Sequence, residues 1–248
     1  METAALKKAV IEIVVIVLGV LIALFAESAW NDFQDRKAGS DYAARLSTEL
    51  TKNLEHLEAD FLWARQACSS AESALAKLRS KDVEPDPADM LRLMISTAIF
   101  PAPEYQRATY DDLIGTGSLS LIDDVVVREK TVAGYTEFFE YITAWRPPKD
   151  TLIRDAVLQT LPSEFILQVL RECIVEADEV LFTPAIRACN TVPSSEAPGV
   201  WFDKILNHSN IEAALSERAW QVCDFERTMG VIREELEVLI PALEAIAE

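Results

Sequence analysis

Residues 41–78, DYAARLSTELTKNLEHLEADFLWARQACSSAESALAKL, place Leu46, Leu50, Leu54, Leu57, Phe61, Ala64, Cys68, Ala71, Leu75 and Leu78 mostly four and three residues apart. That alternation predicts a long amphipathic helix with a narrow, coiled-coil-like seam, about 57 Å long at ~1.5 Å per residue. The prolines and acids of residues 81–89, KDVEPDPAD, end it. The last segment follows the same logic. Ile211, Leu215, Val222, Phe225, Met229, Ile232, Leu236, Leu239, Leu243 and Ile246 form a second seam, with Asn210 available as N-cap and Pro241 expected to bend the final turns. Two long helices with matching seams at opposite ends of a chain most simply pair antiparallel, with shorter helices packed around them.

Toward the N-terminus the first helix continues into AVIEIVVIVLGVLIALFA, residues 9–26, preceded by Lys7 and Lys8 and followed by Trp30. At ~1.5 Å per residue this run is about 27 Å long, enough to cross a hydrocarbon core with little tilt. A cleaved secretory signal is the rival reading, with Ala26 and Ser28 flanking a cleavage site. Glu12 inside the run, and a run longer than the roughly 7 to 15 residues of a signal core, favour a retained span. Positive charges on the two flanks nearly tie, so orientation rests on the short tail with two lysines, which is usual for an N-in anchor. The expected organisation is a cytoplasmic tail (1–8), a transmembrane helix (9–30), a membrane-proximal stalk helix (31–80) and an acidic helical domain packed on the stalk (81–248). A bacterial inner-membrane protein, single-pass, with its bulk in the periplasm, is the localisation this implies.

Between the two long helices the punctuation suggests short ones. Asp89 is a candidate cap for a helix reaching Phe100, and residues 109–114 read as a helix stopped by Gly115 and Gly117. Ser120 or Asp123 can start another that runs to Trp145, with Val127, Val132, Tyr135, Phe138, Phe139 and Ile142 as its apolar surface. Residues 150–161 and 163–180 read as two more helices and 191–199 as a loop. Only 7 Gly in 248 residues agrees with a mostly helical chain, and no convincing strand series is present. The fold class expected is all-α, a single N-terminal transmembrane helix plus an extramembrane helical bundle.

With 41 acidic against 23 basic residues and a net charge of −18, the chain repels polyanions, so DNA and RNA are excluded as partners. Cys68, Cys173, Cys189 and Cys223 form no CxxC pair and His56 and His208 stand far apart, which is poor material for a metal site. In an oxidising compartment one or two disulfides are possible, with Cys173–Cys189 slightly preferred because the segment between them can fold back as a loop; buried free thiols are the alternative. No nucleophile with a base, phosphate loop or calcium loop is found, and carboxylate pairs in so acidic a chain read as solvated helix faces. Neither a catalytic residue nor a cofactor is expected.

Within the span, Glu12, Gly19, Ala23, Ala26 and Trp30 fall along one stripe. Gly19-x-x-x-Ala23 is a small-xxx-small pair that admits another helix closely, and Glu12 is costly if it faces lipid alone. The alternative is a shallow Glu12 that pairs with Lys8 and reaches the headgroups. Trp30, like Lys7 and Lys8, is ordinary membrane-interface anchoring.

Three stretches resemble a family of uncharacterised bacterial single-span membrane proteins, defined only as a domain of unknown function: Glu12 to Leu24 with Trp30-Asn31, Leu46 to Leu54 (LSTELTKNL), and Tyr110 to Ile122 (YDDLIGTGSLSLI). The likeness covers roughly residues 7–145 and departs from the family pattern at Ala29, where that pattern has Asn. It implies a bitopic membrane protein with a helical extramembrane part, and no activity. The resulting expectation is a non-enzymatic membrane-anchored interaction protein whose partners are the lipid bilayer and either copies of itself or other membrane-protein subunits. A periplasmic sensory or ligand-binding helical module working with a separate partner is the alternative.

Overall fold

The computed structural model describes the backbone of residues 2–80, 84–98, 105–145, 152–167, 174–176, 184–186, 198–208 and 210–248, and most side chains among them from Ile13 onward. The first element, α1 (Glu2–Arg79), is one unbroken helix of 78 residues; the first proline of the chain, Pro85, lies beyond its end. Up to Lys37 every described side chain of α1 is exposed, and burial begins at Gly39. Residues 39–79 are therefore the central helix of the folded region, on which the later elements pack.

The last helix, α8 (Ile211–Ala247), lies antiparallel along α1. Contacts step up one helix as they step down the other: Ser40 Oγ donates to the Ala247 carbonyl at 2.9 Å, Ser47 Oγ to Glu244 Oε1 at 3.3 Å, Arg65 pairs with Glu226 at 3.0 Å and Arg79 with Glu212 at 2.8 Å. The apolar seams meet between them. Leu46, Leu50, Leu57, Phe61, Ala64 and Ala71 of α1, and Leu215, Val222, Phe225, Met229, Leu236 and Leu243 of α8, are all buried. The surface ion pairs set register more than stability, since exposed pairs contribute under about 1 kcal/mol each.

The shorter elements pack on this pair. Helix α2 (Pro87–Ala98) starts with Pro87 in its first turn, and Asp86 Oδ1 accepts the Ala88 N–H at 3.4 Å. Asp86 is thus the cap, and Asp89 instead binds Lys77 and Arg92. At the other end, buried Arg218 of α8 donates Nε–H to the Thr97 carbonyl at 2.8 Å, a cationic close for the helix C-terminus. Burial, then the nearby Arg154, push the Arg218 guanidinium down to about 10, which still leaves it charged at neutral pH.

Helix α3 (Ala108–Thr116) stops at Gly117, whose φ of 69° a side chain would strain. A 3₁₀ turn (Ser118–Leu121) leads to α4 (Val125–Trp145), capped by Asp124, whose Oδ1 accepts the Val126 and Val127 N–H groups at 2.8 and 3.0 Å. Ser120 and Asp123 do not cap it. Helix α5 (Leu152–Thr160), helical residues 163–167 (α6) and α7 (Pro198–Leu206) are the remaining helices among the described residues.

Two expectations are corrected. The helix predicted over 163–180 contains instead strand β1 (Ile174–Glu176), paired antiparallel with β2 (Pro184–Ile186), in keeping with the strand preference of Ile174-Val175. Asn210 does precede α8, but its backbone is left-handed at φ 65°, so its side chain makes no capping bond, which needs an extended N-cap. Helix α8 also continues through Pro241, which sits on the exposed side.

Gly39 is where the 3₁₀ turn meets α1. A β-carbon there would fall well inside contact with the Leu121 backbone carbonyl, which cannot swing away as a side chain can. Gly39→Ala is expected to lower stability by about 1–3 kcal/mol in urea unfolding. Gly19→Ala, where a β-carbon meets nothing within 4 Å, serves as the control and should leave the midpoint unchanged. Equal midpoints for both variants would show that the close approach at Leu121 is absent.

Candidate functional site

The span-facing candidates come first. Among the described residues one helix is long and apolar enough to cross a membrane, with an 18-residue window of mean hydropathy 2.5, none of which is buried against the rest of the chain. Gly19, Ala23 and Ala26 all lie on this uncovered stretch, and Gly19 has open space at its β-position. Trp30 is exposed and its ring lies 5.9 Å from that of Phe33. The side chains of Lys7, Lys8 and Glu12 lie outside the described residues, as do Cys173 and Cys189.

Cys68 and Cys223 are joined in a disulfide, clamping α1 to α8 across 155 residues of sequence. Their sulfurs and a Glu72 oxygen lie within 4.8 Å of one another, but sulfurs bonded to each other are not thiolate ligands.

The interior carries a second row on α1 that hydrophobic spacing does not reveal. Glu49, Asn53, His56 and Asp60 follow each other at four, three and four residues, and Trp63, Ala67, Ser70 and Ala74 continue the same rhythm, all of them buried. The polar half of this row holds the segment that leads into α3 and the middle of α4. Glu49 accepts the Thr109 N–H at 2.7 Å and the Tyr135 hydroxyl at 2.6 Å. Asn53 donates to the Gln106 carbonyl and accepts the Gln106 N–H, both at 2.7 Å, and Asp60 accepts the Tyr105 hydroxyl at 2.6 Å. Aromatic packing closes the row: Tyr110 stacks on Tyr135 at 4.4 Å and Tyr105 meets Phe138 edge-on at 4.5 Å. Two stretches that the sequence marks out, 46–54 and 110–122, are thereby joined in space.

This row is built to fix structure. Glu49 and Asp60 are three turns apart on α1, about 16 Å at ~1.5 Å per residue, too far to act on one substrate atom. Each carboxylate is already bound by a tyrosine, and burial, joined by the facing carboxylate, pushes the Tyr105 and Tyr135 hydroxyls well above the ordinary phenol range. His56, whose Nδ1 is buried without a hydrogen-bond partner, is held neutral because burial lowers its pKa against the opposing pull of Glu55.

Asp60 is the exception that titrates in an accessible range. Burial raises it to about 6, the Tyr105 hydrogen bond opposing. A carboxyl with a higher pKa in the folded than in the unfolded chain contributes stability that is complete below about pH 4 and lost as pH rises through about 6. Asp60→Asn, which keeps an acceptor for Tyr105, is therefore expected to gain on the parent chain by about 2 kcal/mol between pH 4 and pH 7.5 in urea unfolding. A difference that stays flat with pH would show that Asp60 ionises freely in the fold.

A cleft of about 350 Å³ opens between Asp32, Asp35 and Arg36 of α1 and Ser120, Leu121 and Asp123 at the 3₁₀ turn. Its walls are charged and open, unlike the apolar, enclosed sites that small ligands favour. Comparison with protein-family models, with characterised proteins and with solved structures yields no match.

Proposed function

We propose that this chain is a non-catalytic, membrane-anchored interaction protein whose N-terminal helix packs, through the face bearing Gly19 and Ala23, against the transmembrane helix of another copy or of a larger membrane complex. The observation that carries this reading is the uncovered part of α1: from Ile13 to Phe25 it is exposed along its whole length, while residues 39–79 of the same helix are the centre of a packed core. Leu, Ile and Val can rest against lipid. A glycine in the same stretch contributes nothing to lipid contact and lets a second backbone approach.

The Cys68–Cys223 disulfide supports placement of the folded region outside the cytoplasm, because such bonds persist in oxidising compartments. It adds to the two N-terminal lysines a separate reason for an N-in anchor. The same side of a bacterial inner membrane is the periplasm.

Cross-linking in intact membranes, followed by native mass of the detergent-extracted complex, tests the packing face. Gly19→Leu is expected to reduce the cross-linked fraction about tenfold, equivalent to about 1.4 kcal/mol of lost association, with the fold outside the membrane unchanged. A parent chain that is strictly monomeric and comes out alone overturns the proposal.

A further inference from the structure

We propose that the partner of α1 is a second copy of this chain, parallel to the first and related to it by a two-fold axis. The contact continues out of the bilayer through Trp30 and Phe33 and ends on ion pairs between Arg36 of each copy and Asp41 of the other. The inference rests on the proposed packing through Gly19 and Ala23 and names what packs there.

Spacing is the first argument. Gly19, Ala23, Ala26, Trp30, Phe33 and Lys37 stand four and three residues apart in strict alternation, the repeat that keeps one seam of a helix against a parallel neighbour. Residues 27–37 are helical and exposed throughout. Their apolar side chains are Ala29, Trp30 and Phe33; the two aromatic ones, 60% and 58% exposed, lie on the seam with their rings 5.9 Å apart. Phe33 is seven residues past Ala26, about 10 Å along the axis, whereas a bilayer's polar layer reaches roughly 5–7 Å beyond its hydrocarbon. Lipid does not cover it. So short a stretch of helix is marginal in water without packing on its apolar side, and a second helix against the aromatic pair supplies that packing.

Charge decides which helix. Copies of one membrane protein share an orientation, so two α1 helices meet parallel. In a parallel heptad pair, a residue just before one seam position faces across the contact the residue five further on in the other helix. Here these are Arg36 and Asp41, opposite in sign, and the two-fold axis makes the pair twice. Within one chain they do not meet, since five residues turn a helix by about 140° beyond a full circle. Arg36 donates Nε–H only as far as the Asp32 carbonyl of its own helix, at 3.3 Å. Lys37 faces its own counterpart at a seam position, which lowers affinity and fixes the register. The fold leaves this side of α1 open: Asp41, Ala44 and Thr48 follow Lys37 at four, three and four residues and are all exposed, while the end of α8 stands beside them at Ser40.

The test places a benzophenone side chain at Phe33, Asn31 or Val20 of the full-length chain and activates it by light in intact membranes. Phe33 and Val20 are expected to give an adduct of twice the chain's mass, and Asn31, on the far side of the helix, about fivefold less. Arg36→Asp and Asp41→Arg should each lower the Phe33 adduct about fivefold, and the two together should restore it, with the urea midpoint unchanged throughout. Restoration reports a contact between copies, because the two positions do not meet within one helix. An adduct of another mass at Phe33, or loss on charge reversal without restoration, overturns the proposal. An adduct at Val20 with none at Phe33 also overturns it, confining the contact to the bilayer and leaving the packing face standing. No adduct at either position overturns the packing face as well.

Discussion

Replacing Cys68 and Cys223 by alanine is expected to lower the stability of the folded region by about 5 kcal/mol, the largest effect of any single pair in the chain. The bond closes a loop of 155 residues, and in the chain-entropy picture the unfolded ensemble regains that freedom once it is cut, as (3/2)R ln n predicts for a loop of this length. Native strain and residual structure in the unfolded chain make about 5 kcal/mol an upper figure. In the folded state the pair is partly buried against the core between the two seams, so alanine adds a smaller packing loss to the entropic one. Urea unfolding of the full-length chain in detergent should show a lower midpoint for the variant, and the parent should fall to the same midpoint when a dithiol reductant is added. An unchanged parent midpoint under reductant, or free thiols at Cys68 and Cys223 in protein taken from its membrane, would contradict both the clamp and the compartment it implies.

The second large effect is expected at Asn53. Its amide grips a stretch of backbone with no helix or strand of its own: the Gln106 N–H and C=O both end on this one fully buried side chain. Asn53→Asp keeps size and acceptor, but sets a carboxylate oxygen where an N–H₂ had been, against the Gln106 carbonyl. Losing that bond inside the core costs about 1–3 kcal/mol, and a buried charge facing a carbonyl adds to it. Protonation would restore a donor. Burial raises the folded pKa of such a carboxyl, so stability is retained at pH 4 and lost as pH rises through roughly 6 to 7. Urea midpoints of variant and parent should converge at low pH and separate by about 3 kcal/mol at pH 8. A deficit independent of pH would mean that packing alone is disturbed and that Asn53 does not hold Gln106.

Both long helices were legible because aliphatic residues mark a seam. Leu46 to Leu78 and Ile211 to Ile246 lie where the spacing puts them, and the two seams face each other. The row of Glu49, Asn53, His56 and Asp60 was not legible, because polar residues at helical spacing read as a solvent face. Its signal was continuity: Trp63, Ala67, Ser70 and Ala74 prolong it with small and apolar residues. The cysteine pairing was within reach of the same reasoning, since Cys68 stands in the first seam and Cys223 beside Val222 of the second. Loop proximity pointed to Cys173 and Cys189, which lie outside the described residues. Caps moved by one to three residues, Asp124 for Asp123 and Asp86 for Asp89, because neighbouring acids are equivalent until the backbone fixes which one reaches the N–H groups. Gly39 gave no sign at all, as its requirement comes from the Leu121 carbonyl arriving from elsewhere in the chain.

That α1 is a retained span with the folded region outside the cytoplasm is tested most directly by adding protease to intact spheroplasts and weighing what remains in the washed membrane. The account predicts a protected fragment that begins at residue 1 and ends a few residues beyond Trp30. A full-length chain untouched by protease would place the folded region inside the cell, and a membrane without the fragment, with soluble protein starting near residue 29, would make residues 9–26 a cleaved leader.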